Sequence, residues 1–170
     1  MIRHVVTRAA AALALAAVAG AAQGQEVVRH AIPGSTFPIA RAVEIPAGAT
    51  IVHLSGAVPS VTDETAEEGS RAAFGDTEAQ TISVLQSIQG TLTDLGLEIG
   101  DVYRMQVFLV APDGAAGMDF AGFMEGYTTF FGTEAQPSLP VRSVVEVEGL
   151  ANPAWLVEIE VSAVRSPVSD

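Results

Sequence analysis

The chain has 170 residues, with eight basic and twenty acidic side chains and a formal net charge of −12. It contains no cysteine, and all of its basic residues apart from histidine are arginines, which excludes disulfides, thiolate metal sites, a cysteine nucleophile and lysine Schiff-base chemistry. The negative charge disfavours nucleic acid and anionic lipid as partners.

Residues 1–24 have the layout of a secretory signal peptide. Arg3 and Arg8 precede an apolar run over residues 9–22, and small residues surround a cleavage point after Gly24. The run is too short and too rich in alanine for a membrane span. We therefore expect a periplasmic or secreted protein that has no membrane contact after cleavage, with an N-terminal extension over 25–36 and one domain over 37–166.

The first elements of this domain are β-rich. Two short runs around the turn residues Pro46 and Gly48 predict a hairpin from about Arg41 to Ala57, with Ser55-Gly56 at its end. The following segment, residues 60–75, is acidic and punctuated by glycine. We interpret it as an exposed loop whose charges are solvated.

An amphipathic helix follows the loop. Its apolar residues recur at spacings of three and four, namely Ile82, Leu85, Ile88, Leu92 and Leu95. Asp76 or Thr77 can cap it, and Thr77 with Gln80 fits a capping box. Gly96 is placed to end the helix in the left-handed conformation. Gly90, in the middle, indicates either close packing against a neighbouring backbone or mere tolerance.

The second half of the domain alternates strand and helix. A strand over 102–109 precedes a second amphipathic helix, whose aromatic stripe we interpret as core: Phe120, Phe123, Met124, Tyr127, Phe130 and Phe131. Strands over 141–148 and 155–164 complete the order ββαβαββ. This order predicts an α+β sandwich, one sheet with two helices on one face. The other face should meet another subunit.

Arg142 is the unusual residue of the strand in "LPVRSVVEVEGL". Strand alternation places it on one face with Val144, Glu146 and Glu148, which favours a solvated salt-bridge ladder on an outer face. A hairpin joining the last two strands could instead bring Arg142 onto one face with the pair Glu158 and Glu160. The register decides between these arrangements.

Several segments, in this order, resemble the RidA (YjgF) family of small imine deaminases: "TIVHLSGAVP", "DLGLEIGDVYRMQVFL", "YTTFFG", "LPVRSVVEV" and "VEIEVSAV". The similarity runs from about Phe37 to Arg165. It implies a chorismate-mutase-like fold that assembles as a homotrimer, with the sheets forming a central barrel and a cleft at each subunit interface. It also implies that no cofactor is needed.

The resemblance implies hydrolysis of 2-imino or enamine acids to 2-oxo acids and ammonia. Arg142 would hold the substrate carboxylate by two parallel hydrogen bonds, since its guanidinium is a planar fork of donors. Glu158 matches the acidic residue that orients water or shuttles its proton, with Glu160 as the alternate. Ser55 and Gly56 match a Ser-Gly pair that lines the cleft.

Two further cleft positions depart from the family pattern. Ile39 stands where the family has a tyrosine, and Met124 where it has an asparagine, so the cleft is drier and makes fewer polar contacts. Two other interpretations remain open: non-catalytic binding of a small carboxylate at trimer interface clefts, and a structural protein in which Arg142 pairs with Glu148 or Glu160. The histidines show no metal-binding spacing, so no metal is expected.

Overall fold

The computed structural model describes residues 26–166. The predicted signal peptide lies outside these residues, so export stays a prediction. Within the described part, no helix is long and apolar enough to cross a membrane. The strands and helices, in chain order, are β1 (Val28–Ala31), β2 (Ala40–Glu44), β3 (Thr50–His53), α1 (Arg71–Phe74), α2 (Thr77–Asp94), a 3-10 turn (Ile99–Asp101), β4 (Val102–Leu109), α3 (Phe120–Tyr127), β5 (Val141–Glu146) and β6 (Val157–Arg165).

A four-stranded sheet in the order β3-β6-β4-β5 forms the centre of the domain, and β1 and β2 form a separate antiparallel pair. The helices α2 and α3 pack on each other and on one side of the four-stranded sheet, where Leu85, Phe123 and Tyr127 join Met105 and Ile159 in a single buried core. The mixed α+β sandwich expected from the order of elements is thus confirmed.

The hairpin predicted from about Arg41 to Ala57 is wrong, and the last two strands do not form a hairpin either. The strand β2 pairs with β1, which lies in the segment assigned to the N-terminal extension, and β3 pairs with β6. The strand β4 lies between β5 and β6, parallel to β5 and antiparallel to β6. The helix α3 supplies the crossover that a parallel pair requires, so β5 returns beside β4 and cannot reach β6.

The start of α2 confirms Asp76 as its cap, because the Asp76 side chain accepts a hydrogen bond from the Ala79 amide at 2.9 Å. The predicted capping box is wrong. Gln80 is fully buried, donates to the Ala154 carbonyl at 3.1 Å and accepts from the Leu156 amide at 2.7 Å. Gln80 therefore ties the first turn of the helix to the chain that enters β6.

Three glycines define how α2 ends and how it packs. Gly96 has φ +68° directly beyond the helix, in the left-handed conformation predicted for it. Gly90 has open space around its Cα, so tolerance and not close packing explains it. In α3, a Cβ on Gly126 would lie 2.8 Å from the Thr81 Cβ, so a glycine is required where α3 crosses α2.

Candidate functional site

Arg142 lies on the helix side of the sheet. It is in register with Met105 of β4, and Met105 is in register with Val161 of β6; both of these side chains are buried. No carboxylate of residues 26–166 forms an ion pair with Arg142. The interpretation of Arg142 as part of a solvated salt-bridge ladder is therefore wrong. The alternative in which Arg142 pairs with Glu148 or Glu160 is also wrong.

Four aromatic rings and one thioether surround the Arg142 guanidinium, and we call them the aromatic cage. Its Cζ atom lies 4.1, 5.0, 5.6 and 6.0 Å from the ring centroids of Tyr127, Phe123, Phe37 and Phe120 respectively. The Met124 sulfur accepts from Arg142 Nη2 at 3.2 Å. Arginine over aromatic faces is a favourable arrangement, worth about 0.5–2 kcal/mol for each well-placed ring.

Burial leaves the guanidinium short of hydrogen-bond partners. Arg142 Nη1 is buried, and no partner for it exists among the residues that the structure describes. Burial also lowers the pKa of Arg142 below its ordinary value. An unsatisfied buried donor costs about 1–3 kcal/mol, more when charged. A carboxylate would supply the missing acceptors, so the arrangement suits an organic anion.

Tyr127 supports both sides of the cage. Its ring is fully buried and stacks on Phe131, with centroids 4.9 Å apart and an angle of 13° between the planes. Its hydroxyl donates to the Pro38 carbonyl at 2.8 Å, which fixes the chain next to Phe37. Burial raises the pKa of Tyr127 to about 12, and the positive charge of Arg142 opposes part of that rise. Tyr127 therefore stays a neutral donor at ordinary pH.

A second cluster joins Glu158 to the Ser55-Gly56 corner that follows β3. Ala57 and Ile159 exchange two backbone hydrogen bonds, at 2.9 and 3.0 Å, which bring the corner against β6. A Cβ on Gly56 would collide with the Glu158 carboxylate. Glycine at position 56 is thus what allows that carboxylate to lie against the chain.

The corner also lines an open cavity of about 510 Å³ between β3 and the end of α2. Ser87 and Thr91 of α2 also line this cavity. Glu160, the alternate to Glu158, is more exposed and is in register with Gln106, two residue pairs further along the strand than Glu158. The contact with Gly56 distinguishes Glu158 from Glu160.

Arg142 and Glu158 lie on opposite faces of the sheet. Glu158 is three residues from Val161, which shares the face of Arg142, so strand alternation turns the two side chains apart. The strand β4 also lies between β5 and β6, which sets these two strands about 10 Å apart, and the two residues are offset by three positions along them. The register therefore rules out the arrangement in which both residues share one face. A small substrate cannot contact both within one protomer.

The two remaining predicted site residues, Met124 and Ile39, also lie apart from each other. Met124 belongs to the aromatic cage, whereas Ile39 lines a different cavity, of about 190 Å³, with Arg29 and His30. Phe37, two residues before Ile39, is the residue of this stretch that reaches Arg142. The helix spacing of Phe120, Phe123 and Tyr127 indicated one shared face, but the arginine that this face contacts could not be read from it.

The two histidines of residues 26–166 have ordinary partners. His53 Nδ1 lies 2.9 Å from the Ser162 hydroxyl, and His30 pairs with Glu44 on the surface. Over residues 26–166, no group of three or more histidine, aspartate or glutamate side chains is placed to hold a metal ion.

Sequence comparisons with known proteins find similarity over nearly all of the described residues. A family model described as Endoribonuclease L-PSP matches residues 29–165. TdcF of Escherichia coli K12, whose name describes a reactive intermediate deaminase, is 33% identical over 134 residues, or 79% of this chain and 92% of TdcF. The 2-iminobutanoate/2-iminopropanoate deaminase of Salmonella typhimurium LT2 is 29% identical over 133 residues, or 78% of this chain and 91% of that protein.

Two solved structures show the same architecture. E. coli TdcF with bound serine superposes with a TM-score of 0.55 at 30% identity, covering 84% of this chain and 99% of TdcF. Rv2704 of Mycobacterium tuberculosis, a member of the YjgF/YER057c/UK114 family, superposes with a TM-score of 0.52 at 27% identity. That match covers 81% of this chain and 98% of Rv2704.

Proposed function

This chain belongs to the Endoribonuclease L-PSP (YjgF/RidA) family, and from this premise we propose that it is a RidA-like deaminase. It hydrolyses 2-imino acids, or their enamine tautomers, to 2-oxo acids and ammonia. The observation that carries the proposal is the half-buried Arg142 guanidinium, which lacks a carboxylate partner among the described residues and is held in an aromatic cage. Relatives that are named as deaminases of such compounds support it.

The reaction needs an anchor for the carboxylate and a group that handles protons. Arg142 binds the carboxylate and so fixes the position of the neighbouring C=N bond. Water adds to the imine carbon to give a 2-amino-2-hydroxy acid. Its C–N bond then breaks, the nitrogen leaves as ammonia, and the hydroxyl loses a proton to form the 2-oxo group. Glu158 accepts the proton of the attacking water and returns a proton to the leaving nitrogen.

The proposed active cleft lies between protomers of a homotrimer. Within one protomer Arg142 and Glu158 face opposite sides of the sheet, so Glu158 and the Ser55-Gly56 corner of a neighbouring copy must complete the cleft. The sheet face opposite the helices supports an assembly, since it carries the half-buried Phe108 and Val145, which is 40% exposed.

The charge of the chain argues against RNA as the substrate, although the family description names an endoribonuclease. The net charge is −12 and there is no lysine. Phosphate contacts from basic side chains supply most of the affinity of proteins for nucleic acid. A small carboxylate needs one guanidinium only, and Arg142 provides it.

Non-catalytic binding of a small carboxylate at the same interface clefts is the second candidate. The thioether of Met124 at 3.2 Å from Arg142 favours it, because a dry cage binds an anion without placing a proton-transfer group beside it. The two candidate functions differ in whether the protein hydrolyses a 2-imino acid or only binds a carboxylate.

The test follows 2-imino acids generated in situ by an L-amino acid oxidase, with their disappearance measured by a trapping reagent. The wild-type protein should speed hydrolysis above the buffer rate, and Arg142→Ala should abolish that gain. Arg142→Lys retains the charge without the fork and should restore only a small part of the rate. Glu158→Gln should be inactive, with Glu160→Gln as its matched control.

A wild-type rate equal to that of buffer would overturn the enzyme proposal. Calorimetry with 2-oxo acids then decides whether the cage binds carboxylates at all. Binding heat with the wild type and none with Arg142→Ala would support the proposal of a carboxylate-binding protein. No binding heat with either protein would overturn that proposal.

A further inference from the structure

The open part of the aromatic cage is apolar. Phe123 and Tyr127 are fully buried and form its floor, whereas Phe37 is 41% exposed, and Phe120 and Met124 are half-buried. A ligand whose carboxylate reaches Arg142 must therefore place its next atoms against two aromatic rings and a thioether. These surfaces gain free energy from apolar contact and lose it when they face a polar group.

The cage holds one polar group, the Tyr127 hydroxyl, and that group already has a partner. Arg142 Nη2 donates to the Met124 sulfur, a weak acceptor, at 3.2 Å, and the Tyr127 ring lies beneath the guanidinium. The Tyr127 hydroxyl already donates to the Pro38 carbonyl at 2.8 Å. The exposed members of the cage, Phe37, Phe120 and Met124, thus offer a substrate side chain apolar contacts.

We propose that the cage selects substrates in which a large apolar side chain, aromatic or branched aliphatic, accompanies the carboxylate. This inference rests on the proposed function, and it names the substrate class of the same site. The benzyl or isobutyl group of such a substrate packs between Phe37, Phe120 and Met124 while the carboxylate binds Arg142. Small and hydroxylated side chains, such as those derived from alanine or serine, leave these surfaces uncovered.

The first test compares kcat/KM for imino acids generated from phenylalanine, leucine, alanine and serine. The large apolar substrates should be preferred by about tenfold or more, the range that differences in apolar contact produce in a pocket. Equal rates for all four, or a preference for the serine product, would overturn the inference and leave the deaminase proposal intact.

If no substrate is turned over, the deaminase proposal fails and the inference is decided by calorimetry. Phenylpyruvate should then bind about tenfold or more tightly than pyruvate. Equal affinities for the two acids, or no heat with either, would overturn it.

Substitutions in the cage test the origin of the preference. Met124→Asn and Phe37→Ala should each narrow the ratio of kcat/KM, or of affinity, between the phenylalanine-derived and serine-derived ligands. Met124→Leu keeps an apolar side chain of similar size and should preserve the ratio, as should Val61→Ala in the distant acidic loop, where Val61 is 51% exposed. A ratio that Met124→Asn and Phe37→Ala leave unchanged would show that the cage does not set the preference.

Discussion

The Arg142 guanidinium lies over the ring of Tyr127, with the Arg142 Cζ atom 4.1 Å from the ring centroid. The hydroxyl of the same side chain donates to the Pro38 carbonyl at 2.8 Å, directly after Phe37. One buried side chain therefore fixes the cation and also the segment that supplies the exposed wall of the cage. This double contact makes Tyr127 a positioning residue for the carboxylate site.

Tyr127→Phe and Tyr127→Leu should separate the two contacts. The phenylalanine variant keeps the ring and loses only the bond to Pro38, so stability should fall by about 1 kcal/mol and KM should rise modestly. The leucine variant removes the ring beneath Arg142, so KM should rise by about tenfold or more, beyond the change in kcat. Steady-state kinetics and thermal unfolding of each variant provide the measurements.

Phe131→Leu is the control for packing alone, because Phe131 stacks on Tyr127 from within the core and is not among the rings of the cage. It should lower stability without a comparable rise in KM. If Tyr127→Leu raised KM no more than Phe131→Leu does, the positioning role would be refuted.

The raised pKa of Tyr127, about 12, predicts a loss of stability in alkali. The unfolded phenol titrates near pH 10, so between about pH 10 and 12 the unfolded chain has lost a proton that the folded chain still holds. The free energy of unfolding should therefore be independent of this group below pH 10 and should fall by about 2–3 kcal/mol up to pH 12. Denaturant unfolding across this range measures the effect.

Tyr127→Phe is the control for the alkaline loss, because it removes the titrating group and keeps the ring. Its stability should fall less steeply over the same pH range. In a Tyr103→Phe background, only Tyr127 contributes to phenolate absorbance near 295 nm. A midpoint near pH 10 in that titration would contradict the assignment.

The collision that a Cβ on Gly56 would make with Glu158 predicts the effect of Gly56→Ala. The added methyl group must displace the carboxylate, since the two backbone hydrogen bonds between Ala57 and Ile159 hold the backbone in place. Deaminase activity should fall by about 10²-fold, the order expected when a general acid-base group is misplaced. Calorimetry should show little change in carboxylate binding, because Arg142 is untouched.

A double-mutant cycle separates this collision from an ordinary loss of stability. Glu158→Asp shortens the side chain, so adding Gly56→Ala to it should cost much less activity than Gly56→Ala costs in the wild type. Additive effects of the two changes would mean that the corner does not position Glu158.

The elements of the fold could be predicted from sequence because they follow from local periodicity. The spacing of Leu85, Ile88 and Leu92 identified α2, and the buried alternation of Val157, Ile159 and Val161 identified β6. The partners of the strands could not be predicted, because alternation fixes which side chains share a face and leaves open which strand lies alongside. Alternation itself is interrupted in β4, where a register shift after Val102 turns the Val102 side chain into the core.

The site was predictable in its residue types and not in its arrangement. The family resemblance singled out Arg142, Glu158 and the Ser55-Gly56 corner, and the structure places the last two in contact. The aromatic stripe of α3 was interpreted as core, which holds for Phe123 and Phe131. An amphipathic pattern cannot show that the same rings also surround an arginine, because that contact depends on the crossover from β4 through α3 to β5.

Gly90 and Gly126 lie on different helices and predict opposite responses to alanine. Nothing lies within 4 Å of a Cβ added to Gly90, and its backbone is helical, so Gly90→Ala should stabilise the protein by about 1 kcal/mol. A Cβ on Gly126 would lie 2.8 Å from the Thr81 Cβ and 3.0 Å from the Glu78 carbonyl oxygen, so Gly126→Ala must separate α2 from α3.

The expected cost of Gly126→Ala is about 1–3 kcal/mol, because a backbone carbonyl cannot move aside as a flexible side chain can. Thermal unfolding should show Tm raised by about 2–4 °C for Gly90→Ala and lowered for Gly126→Ala. Only Gly126→Ala should alter the aromatic cage, because α3 holds Phe123 and Tyr127 against Arg142. Weaker carboxylate binding by Gly126→Ala, with unchanged binding by Gly90→Ala, would show that the crossing of the helices sets the geometry around the guanidinium; equal binding by both would refute that link.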